Sequence, residues 1–379
     1  MTAQLRLERQ CRVGLRATLL KTVMPQPPKS ANKKPPRKFA VIGAGMSGIA
    51  CARTLLQAGH QVRLFERNET VGGRMASVDT PFGSFDTGTQ YFTVRDPRFA
   101  LALQTTPHAA KPWSANAVRV HDAMGRVVEA ALPSHEAHWV GTPTMDSLVQ
   151  AWAQPFVQSG ALVLNTAVSA IERDALDAKR WQLRTSGPGD AQQVFSGFDT
   201  VLLAVPAAQA LRLLQASALA AGLSEQIAKV TVAPCWTLML AYPQAVQPTL
   251  SHLGPQWNAA LSTHHRVAWL ARESSKPGRS AIERWTVQAS AQWSREHMTD
   301  DAARVQAKLR KAFAEVTGIR ADPSHASVQR WNHAKTESPL GKAFTWDARQ
   351  RIGACGDWCL GHRVEDAFLS GLQLALKVL

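Results

Sequence analysis

The sequence predicts an α/β fold in which a domain built on a parallel sheet is interleaved with a smaller α+β domain. Three observations predict this fold. A strand, a glycine-rich turn, a helix and a second strand follow one another over residues 39–66; a strand, a Gly-Asp pair and an amphipathic helix occupy 352–379; and apolar strands recur over 211–330. We expect a mixed or antiparallel sheet in the smaller domain.

The net charge of +15 is concentrated at the N-terminus. Residues 1–38 hold ten Lys or Arg and one acid, Glu8, so +9 of the net charge lies there. Because this stretch is rich in Pro and polar residues, residues 1–37 are predicted to be a disordered basic tail. A transit peptide, or a start codon assigned too far upstream, would give the same composition. A secretory signal is not expected, because Arg12 and Arg16 interrupt the one apolar stretch that could form it.

The composition of the chain predicts a globular, cytoplasmic protein. It is 45% hydrophobic and 19% charged, and no apolar run approaches the roughly 20 residues that a membrane span needs. The five cysteines are scattered and form no C-x-x-C pair, which disfavours a disulfide framework or a structural zinc site. We therefore expect no metal and no specific nucleic-acid partner.

The glycine-rich turn follows the first predicted strand, Phe39–Ile42, without a gap. It contains Gly43, Gly45 and Gly48 in a G-x-G-x-x-G pattern. The first glycine permits a tight turn, the second lets the backbone approach a pyrophosphate, and the third lets the helix pack on the strand. In this strand-turn-helix context the pattern predicts a Rossmann-like dinucleotide-binding site.

The helix that follows and the end of the second strand complete this site. At Met46 and Ser47 the helix N-terminus presents free N–H groups and the positive end of its dipole to the phosphates. Glu66 lies 18 residues beyond Gly48, where its carboxylate can accept both ribose hydroxyls. Arg67 follows it directly.

A Gly-Gly-Arg-Met motif indicates which dinucleotide binds. Five residues separate Glu66 from this motif, whose last three residues are Gly73, Arg74 and Met75. This spacing resembles the extended FAD-binding motif of the flavin amine oxidase superfamily, in which the Arg contacts the cofactor phosphates. An arginine there would neutralise anionic oxygens. We therefore predict FAD.

A second cofactor contact is predicted near the C-terminus. Because FAD is long, its ribityl chain and flavin ring need an anchor far from the first turn, and Gly356 and Asp357 suit that role. The last helix, which includes Val364, is expected to point its N-terminus at the flavin ring. Val168, on a strand predicted over 161–173, is a further cofactor candidate. The apolar face of the last helix is predicted to contain Val364, Phe368, Leu372, Leu376 and Leu379.

Three further stretches narrow the resemblance: Asp86–Phe92 with Arg95-Asp96-Pro97, Trp139–Met145, and Cys355–Gly371. Together with the cofactor motifs they resemble renalase and its bacterial relatives. The resemblance implies an FAD oxidase that takes a hydride from isomeric dihydronicotinamide forms of NAD(P)H onto flavin N5 and returns the electrons to O2, giving H2O2. It also implies noncovalent FAD.

Departures from the family pattern leave the substrate open. Thr144 stands where a Gly is usual, Asp366 stands where a Gly often follows Val-Glu, and Asn332 replaces a basic residue. Oxidation of a small amine by the same flavin is the alternative reaction. A protein of another class, a non-catalytic flavin binder or an interaction protein that uses the basic tail, is the third possibility.

The predicted domains are interleaved along the chain. The FAD-binding domain comprises residues 38–100, 141–210 and 331–379, and the substrate domain comprises 101–140 and 211–330. A small-molecule donor is expected between them, since such sites concentrate at domain interfaces.

Residues from both domains are candidates for the substrate site. Gln90, Tyr91, Trp331 and His333 are expected to contact the donor; Tyr91, Trp331 and His333 could instead be core residues. In the substrate domain, a helix is predicted over 299–316 with a Thr cap.

Overall fold

Two large sheets organise the chain. The computed structural model describes residues 35–113, 118–122, 126–128, 136–246 and 258–379, and nearly all of the predicted tail lies outside them. The strands, in chain order, are β1 (Lys38–Ile42), β2 (Gln61–Phe65), β3 (Ser77–Val78), β4 (Phe85–Asp86), β5 (Ala110–Trp113), β6 (Val118–His121), β7 (Val127–Val128), β8 (His138–Gly141), β9 (Leu162–Val163), β10 (Ala167–Arg173), β11 (Trp181–Ser186), β12 (Gln192–Phe198), β13 (Thr200–Leu203), β14 (Thr231–Tyr242), β15 (Ala259–Ser262), β16 (Val267–Arg272), β17 (Glu283–Ala289), β18 (His325–Ser338), β19 (Thr345–Asp347) and β20 (Ile352–Ala354). The helices are α1 (Met46–Gln57), α2 (Pro97–Gln104), α3 (Ser147–Gln158), α4 (Ala207–Ala216), α5 (Ala221–Ile227), α6 (Ala291–Glu296), α7 (Ala302–Thr317) and α8 (Val364–Val378).

The first sheet has six strands in the order β19-β20-β13-β1-β2-β9. All neighbours are parallel except the edge strand β19, which is antiparallel to β20. Strand β1, in the middle of the sheet, is buried on both faces. Phe39 and Val41 pack on one side with α1, α3 and α8, while Ala40 and Ile42 pack on the other with α4 and α5. A parallel sheet covered on both faces needs such a continuous apolar run.

The second sheet has seven strands in the order β18-β14-β17-β16-β15-β6-β7. Its described pairs are antiparallel except for β15 and β6, which are parallel, so the sheet is mixed. The predicted α/β class with a mixed sheet in the second part of the fold is confirmed.

Strand β17 shows how the second sheet faces two environments. Its residues alternate, and Trp285 and Val287 join the apolar cluster under α7. Arg284, Thr286 and Gln288 project to the opposite face, where they hydrogen-bond to Phe82 O, to Glu273 and to Gly88 O respectively. Because side chains alternate along a strand, one face packs as core and the other meets the segment around β4.

The strand predicted over 161–173 is two strands in different sheets, so that prediction was wrong. Asn165 has a positive φ of 51°, a conformation that ends an extended run. Before it, β9 joins the edge of the six-stranded sheet, and after it, β10 pairs with β11 in a separate antiparallel sheet of three strands.

Two helix predictions also need correction. Helix α7 begins at Ala302, and its cap is Asp301, which accepts the Ala303 N–H, rather than Thr299. In α8, Leu376 is 55% exposed and Leu379 is 38% exposed, so neither lies on the buried face. A strict four-residue spacing drifts around a helix of 3.6 residues per turn, which explains the second error.

From Pro36 to Leu379 the chain forms one compact unit, so the division into two interleaved domains stays a prediction. Among the described residues, no helix combines the length and the apolar character that crossing a membrane requires. The described cysteines Cys51, Cys235, Cys355 and Cys359 are free thiols.

Close packing of α8 on α1 gives a test of the fold. A Cβ on Gly371 would lie 2.1 Å from Ser47 O, a backbone atom that cannot move alone. Gly371→Ala is therefore expected to destabilise the protein by roughly 1–3 kcal/mol through overpacking. Gly222→Ala in α5 is the matched control, because a Cβ there meets nothing within 4 Å. Urea unfolding should show a lower midpoint for the first variant; equal or higher stability would contradict the packing.

Candidate functional site

The glycine turn after β1 has the geometry of a phosphate cradle. A Cβ on Gly43 would lie 2.5 Å from Ala204 O, and one on Gly48 would lie 1.9 Å from Gly43 O. Only glycine fits at these two positions. A Cβ on Gly45 would instead meet only Gly72 O and the Gly73 Cα, at 3.9 and 4.0 Å. The backbone at Gly45 is therefore open to a ligand, as the approach of a pyrophosphate requires.

The N-terminus of α1 also suits an anion. Within the described chain no side chain caps it, and the buried Ser47 hydroxyl has no hydrogen-bond partner. Met46 is buried beside it. Uncapped N–H groups and an orphaned hydroxyl at the positive end of a helix are features that a phosphate would satisfy. These residues fit a dinucleotide.

Glu66 is buried at the end of β2 and faces the same turn. Its Oε2 accepts the Ala44 N–H at 2.8 Å, and its Oε1 accepts the backbone N–H and the Nδ2 of Asn68 at 3.0 and 2.8 Å. These bonds fix the carboxylate and leave it capacity for a further donor, since a carboxylate has about four lone-pair sites. Val168 lies two residues after Thr166, whose N–H donates to Glu66 O. The exposed Arg67 follows Glu66.

The two cofactor contacts predicted from distant parts of the sequence are bonded to each other. Arg74 donates from Nη1 to Asp357 Oδ2 at 2.8 Å and from Nη2 to Asp357 Oδ1, and its Nη1 also reaches Ala334 O at 3.2 Å. Burial opposes the charge of Arg74, but the Asp357 carboxylate raises the pKa of its guanidinium overall. The Gly73–Met75 turn is thereby held against the segment that follows β20. Met75 itself is buried.

Asp357 does not lie at the start of the last helix. It opens a short 3-10 turn, Asp357–Cys359, and α8 begins only at Val364. The turn and a loop therefore separate the Gly-Asp pair from α8. Gly356 is fixed by its N–H, which donates to the Ser370 hydroxyl at 2.9 Å.

Two departures from the family pattern have local roles. Asp366 Oδ2 accepts the N–H groups of His362 and Arg363 at 3.0 and 2.9 Å, which caps the start of α8. Thr144 donates its hydroxyl to Asp146 Oδ1 at 2.6 Å and so closes the turn before α3.

Gln90 is a buried structural residue rather than an open wall. Its Nε2 donates to Gly88 O at 3.1 Å and to Asp86 O, while its Oε1 accepts Lys276 Nζ at 3.2 Å. With 4% of its surface exposed, it has no face left for a donor molecule. Its carboxamide shapes the loop from residue 86 to residue 91, here called the clamped loop.

Two further hydrogen bonds to the clamped loop come from the second sheet. Trp331 Nε1 donates to Thr87 O at 2.9 Å, and Gln288 Nε2 donates to Gly88 O at 2.5 Å. On the far side, a Cβ on Gly88 would lie 2.2 Å from Arg74 O. The loop is thus pressed between Arg74, a predicted cofactor contact, and the polar face of the second sheet.

Tyr91, at the end of the clamped loop, belongs to an aromatic group with His138 and Trp269. Its ring centroid lies 4.3 Å from that of His138 and 5.3 Å from that of Trp269. Burial, and secondarily the Glu136 carboxylate, raises the pKa of the Tyr91 hydroxyl, although Arg363 opposes the shift. Burial lowers the pKa of His138. The group is therefore neutral at physiological pH.

His333 lies half-buried on β18, two residues beyond Trp331. Burial lowers the pKa of its imidazole, and the positive charges of Arg212, Arg74 and Arg67 lower it further. His333 is thus a neutral ring among cations, close to one of the predicted phosphate contacts.

A buried ionic cluster escaped the sequence analysis. Lys276 Nζ donates to Asp86 Oδ2 at 2.8 Å and to Glu273 Oε1 at 3.0 Å, and Arg279 Nη2 donates to both oxygens of Asp86 at 2.9 and 2.7 Å. Although burial alone would raise it, Lys276 and Arg279 hold the pKa of Asp86 below its usual value. The available signal was the charged Lys-Pro-Gly-Arg turn between two apolar strands.

Comparison with known families identifies the family of the chain. Residues 41–103 match the model described as NAD(P)-binding Rossmann-like domain, and residues 128–379 match the model described as flavin containing amine oxidoreductase. The chain belongs to the flavin-containing amine oxidoreductase family. Its cofactor is FAD, held noncovalently, as the sequence predicts.

Individual relatives match a short stretch of the sequence or the fold. The chain is 47% identical over 58 residues to a 4,4'-diapophytoene desaturase of Staphylococcus haemolyticus, and 47% identical over 51 residues to one of Staphylococcus aureus. These matches span 15% and 14% of the chain but only 12% and 10% of the relatives' lengths. The structure resembles cyclohexylamine oxidase from Brevibacterium oxydans IH-35A with a TM-score of 0.70 and 13% identity, covering 91% of this chain and 99% of that one. The latter likeness shows the fold.

The position of Glu66 gives a test of the cradle. Glu66→Ala removes a buried acceptor from the predicted ribose site, and we expect FAD binding to weaken by about 1–3 kcal/mol. The dissociation constant, measured by flavin fluorescence on apoprotein, should rise accordingly. Glu69→Ala is the matched control, because Glu69 is an exposed acid three residues away. If both variants bound FAD like the parent protein, Glu66 would not be a cofactor contact.

Proposed function

We propose that the protein is a renalase-like oxidase whose donor is a dihydronicotinamide dinucleotide, an isomeric form of NAD(P)H, with O2 as the electron acceptor. Bound FAD supplies the two-electron oxidation. The predicted cofactor contacts in the cradle, Glu66 and the Arg74–Asp357 pair would hold it, and the aromatic group would receive the donor ring. The observation that carries the proposal is the sign of the charge around this site.

The charges near His333 are positive. Its pKa, already lowered by burial, is lowered further by Arg212, Arg74 and Arg67. Arg212 and Arg67 are exposed. Arg74 and Arg67 are predicted to lie at the FAD site, so Arg212 is the cation of this set that is left for the phosphates of a donor; a positive charge there also repels a protonated alkylamine.

The charges near His362 extend the positive region. Burial lowers the pKa of His362, and Lys335 and Arg363 lower it further, against the weaker effects of Asp366 and Asp357. Asp357 is paired with Arg74, and Asp366 accepts backbone N–H groups of the α8 cap. Lys335 and Arg363 are exposed cations, so they can meet the phosphates of a dinucleotide.

The aromatic group suits a planar ring. Tyr91 and Trp269 are tilted by 39° to each other, and His138 meets Tyr91 edge-on. Aromatic rings prefer offset and edge-to-face neighbours, so a donor ring would pack against this group in the same way. The raised pKa of Tyr91 keeps its hydroxyl protonated, so it can donate a hydrogen bond, for example to a carboxamide.

The clamped loop would form one wall of this site. Side chains of Gln90, Trp331 and Gln288 hold its carbonyls, so the wall is pre-organised before a donor enters. The chain need not supply an acid or base for this oxidation, because the bond-breaking chemistry belongs to the cofactor. Its task is to orient the donor and exclude water.

Oxidation of a small amine is the second candidate. The aromatic group favours it, because rings of this kind can hold an ammonium through cation–π contacts. The positive field near His333 and His362 opposes it.

The decisive experiment is anaerobic mixing of the yellow protein with three donors: NADH enriched in its isomers, purified NADH, and a panel of amines. We expect rapid bleaching of the yellow flavin absorbance only with the isomers. Air should then restore the colour and generate peroxide. Bleaching by amines alone would contradict the proposal.

A charge reversal tests the role of the positive region. Lys335→Glu should raise the KM for the dinucleotide by roughly two- to tenfold, leave kcat unchanged and weaken the salt dependence of kcat/KM, because it removes screened surface attraction only. Lys377→Glu makes the same change at the far end of α8 and should leave KM unaltered. An equal effect of both variants, or a lower KM in Lys335→Glu, would refute an anionic donor at this surface.

A further inference from the structure

The parallel strands of the six-stranded sheet begin at one edge, here called the N-edge, and three helices end there. Helix α1 connects β1 to the parallel strand β2, and α3 leads into the parallel strand β9, so both helices end where these strands begin. The end of α8 lies beside the start of β1, because Arg37 donates to the carbonyl oxygens of Val378 and Leu379. Helix α1 packs against both α8 and α3, so the three helix ends lie next to one another along the N-edge.

Each of these three helices exposes an apolar side chain in its last turn. The side chains are Leu56 in α1, Val157 in α3 and Leu376 in α8. Leu379, directly after α8, is exposed as well. Single exposed apolar residues are normal on a protein surface, whereas a group of them at one place marks an interaction site.

The turn between β10 and β11 extends this apolar surface. It lies at the N-edge because Arg180 approaches Asp199 at 3.5 Å, and Asp199 Oδ2 accepts the Lys38 N–H at 2.8 Å where β1 begins. Leu176, in this turn, is 96% exposed and therefore buries almost nothing in the fold. With Leu176, five of the nine large apolar side chains that are exposed in the described chain lie at the N-edge.

The charge of the N-edge is positive. Its turns and chain ends are residues 37–38, 57–61, 158–161, 174–180, 199, 217–220, 347–351 and 376–379. They contain seven Lys or Arg against four Asp and no Glu. Four of the cations are exposed and have no ion-pair partner in the described chain, namely Lys179, Arg349, Arg351 and Lys377. These four are available to an external partner.

The four carboxylates of the N-edge, in contrast, are engaged within the fold. Each of them accepts at least one backbone N–H, at 2.6 to 2.9 Å. Asp177 and Asp199 also lie 3.4 and 3.5 Å from the guanidinium of Arg180. The acids therefore hold the turns in shape while the four unpaired cations face solvent, which favours an anionic partner.

We propose that the N-edge is a docking surface for a lipid bilayer that contains anionic phospholipid. The exposed leucine and valine side chains enter the boundary between headgroups and acyl chains, and the unpaired cations meet the lipid phosphates. An apolar insertion and a basic patch together give stable binding where either signal alone gives marginal binding. The glycine turn follows the opposite end of β1, so the predicted cofactor contacts there stay open to solution.

A second copy of the chain fits the same surface less well. Contacts between two identical subunits are most often two-fold symmetric, so the same patch of both subunits would meet. The four unpaired cations of one subunit would then face those of the other, and such a juxtaposition of like charges is costly. An anionic membrane meets these cations without that cost.

Vesicle sedimentation of the holoenzyme tests the proposal. The protein should sediment with vesicles of phosphatidylcholine and phosphatidylglycerol but not with vesicles of phosphatidylcholine alone. The bound fraction should fall as salt is added, because salt screens exposed charges. Absence of binding to the mixed vesicles, or equal binding to both kinds, would overturn the proposal.

Paired substitutions show whether the N-edge makes the contact. Leu176→Ser with Leu376→Ser changes two exposed side chains and no charge, including the charges of residues 1–38. It should lower partition onto the mixed vesicles by roughly tenfold, because two leucine side chains no longer enter the lipid. Val194→Ser with Leu261→Ser, at exposed positions on β12 and β15, is the matched control and should bind like the parent protein. Unchanged binding of the N-edge variant, or a dimer of the free protein that this variant alone dissociates, would overturn the proposal.

Discussion

The structure depends on one buried ammonium group. Lys276 Nζ is fully enclosed and donates to Asp86, Glu273 and Gln90, which are contributed by the segment after the cofactor motif and by the loop between β16 and β17. Breaking a buried pair of this kind typically costs about 3–5 kcal/mol, because the remaining charge stays buried without compensation. The ammonium therefore fixes the clamped loop relative to the second sheet.

From this ammonium a continuous series of contacts leads to the cofactor site. Gln90 holds the carbonyls of the clamped loop, Gly88 packs against the backbone of Arg74, and Arg74 binds Asp357. Asp357, which lies 283 positions after Arg74 in the sequence, is thus fixed by the same series of contacts. The wall proposed for the donor site and the predicted second anchor of FAD thus depend on one network of contacts.

What the sequence could predict was the local part of this arrangement. The turn from Gly43 to Gly48 and the acid Glu66 belong to one strand-helix-strand unit, whose spacing alone determines the geometry. The position of Gln90 could not be predicted, since its partner Lys276 lies 186 residues away and only the folded chain brings them together. The strand predicted over 161–173 was wrong for a different reason. Asn165 has a left-handed backbone conformation, which ends the strand but leaves the apolar periodicity of the sequence unchanged.

A crystal structure of the yellow holoenzyme tests the central claim most directly. The account predicts FAD density that starts over the Gly45 backbone, has its ribose at Glu66, passes Arg74 and Asp357, and places the flavin ring beside the clamped loop, facing Tyr91. FAD phosphates that contact neither Arg74 nor the N-terminus of α1, or a flavin ring separated from the clamped loop, would contradict it.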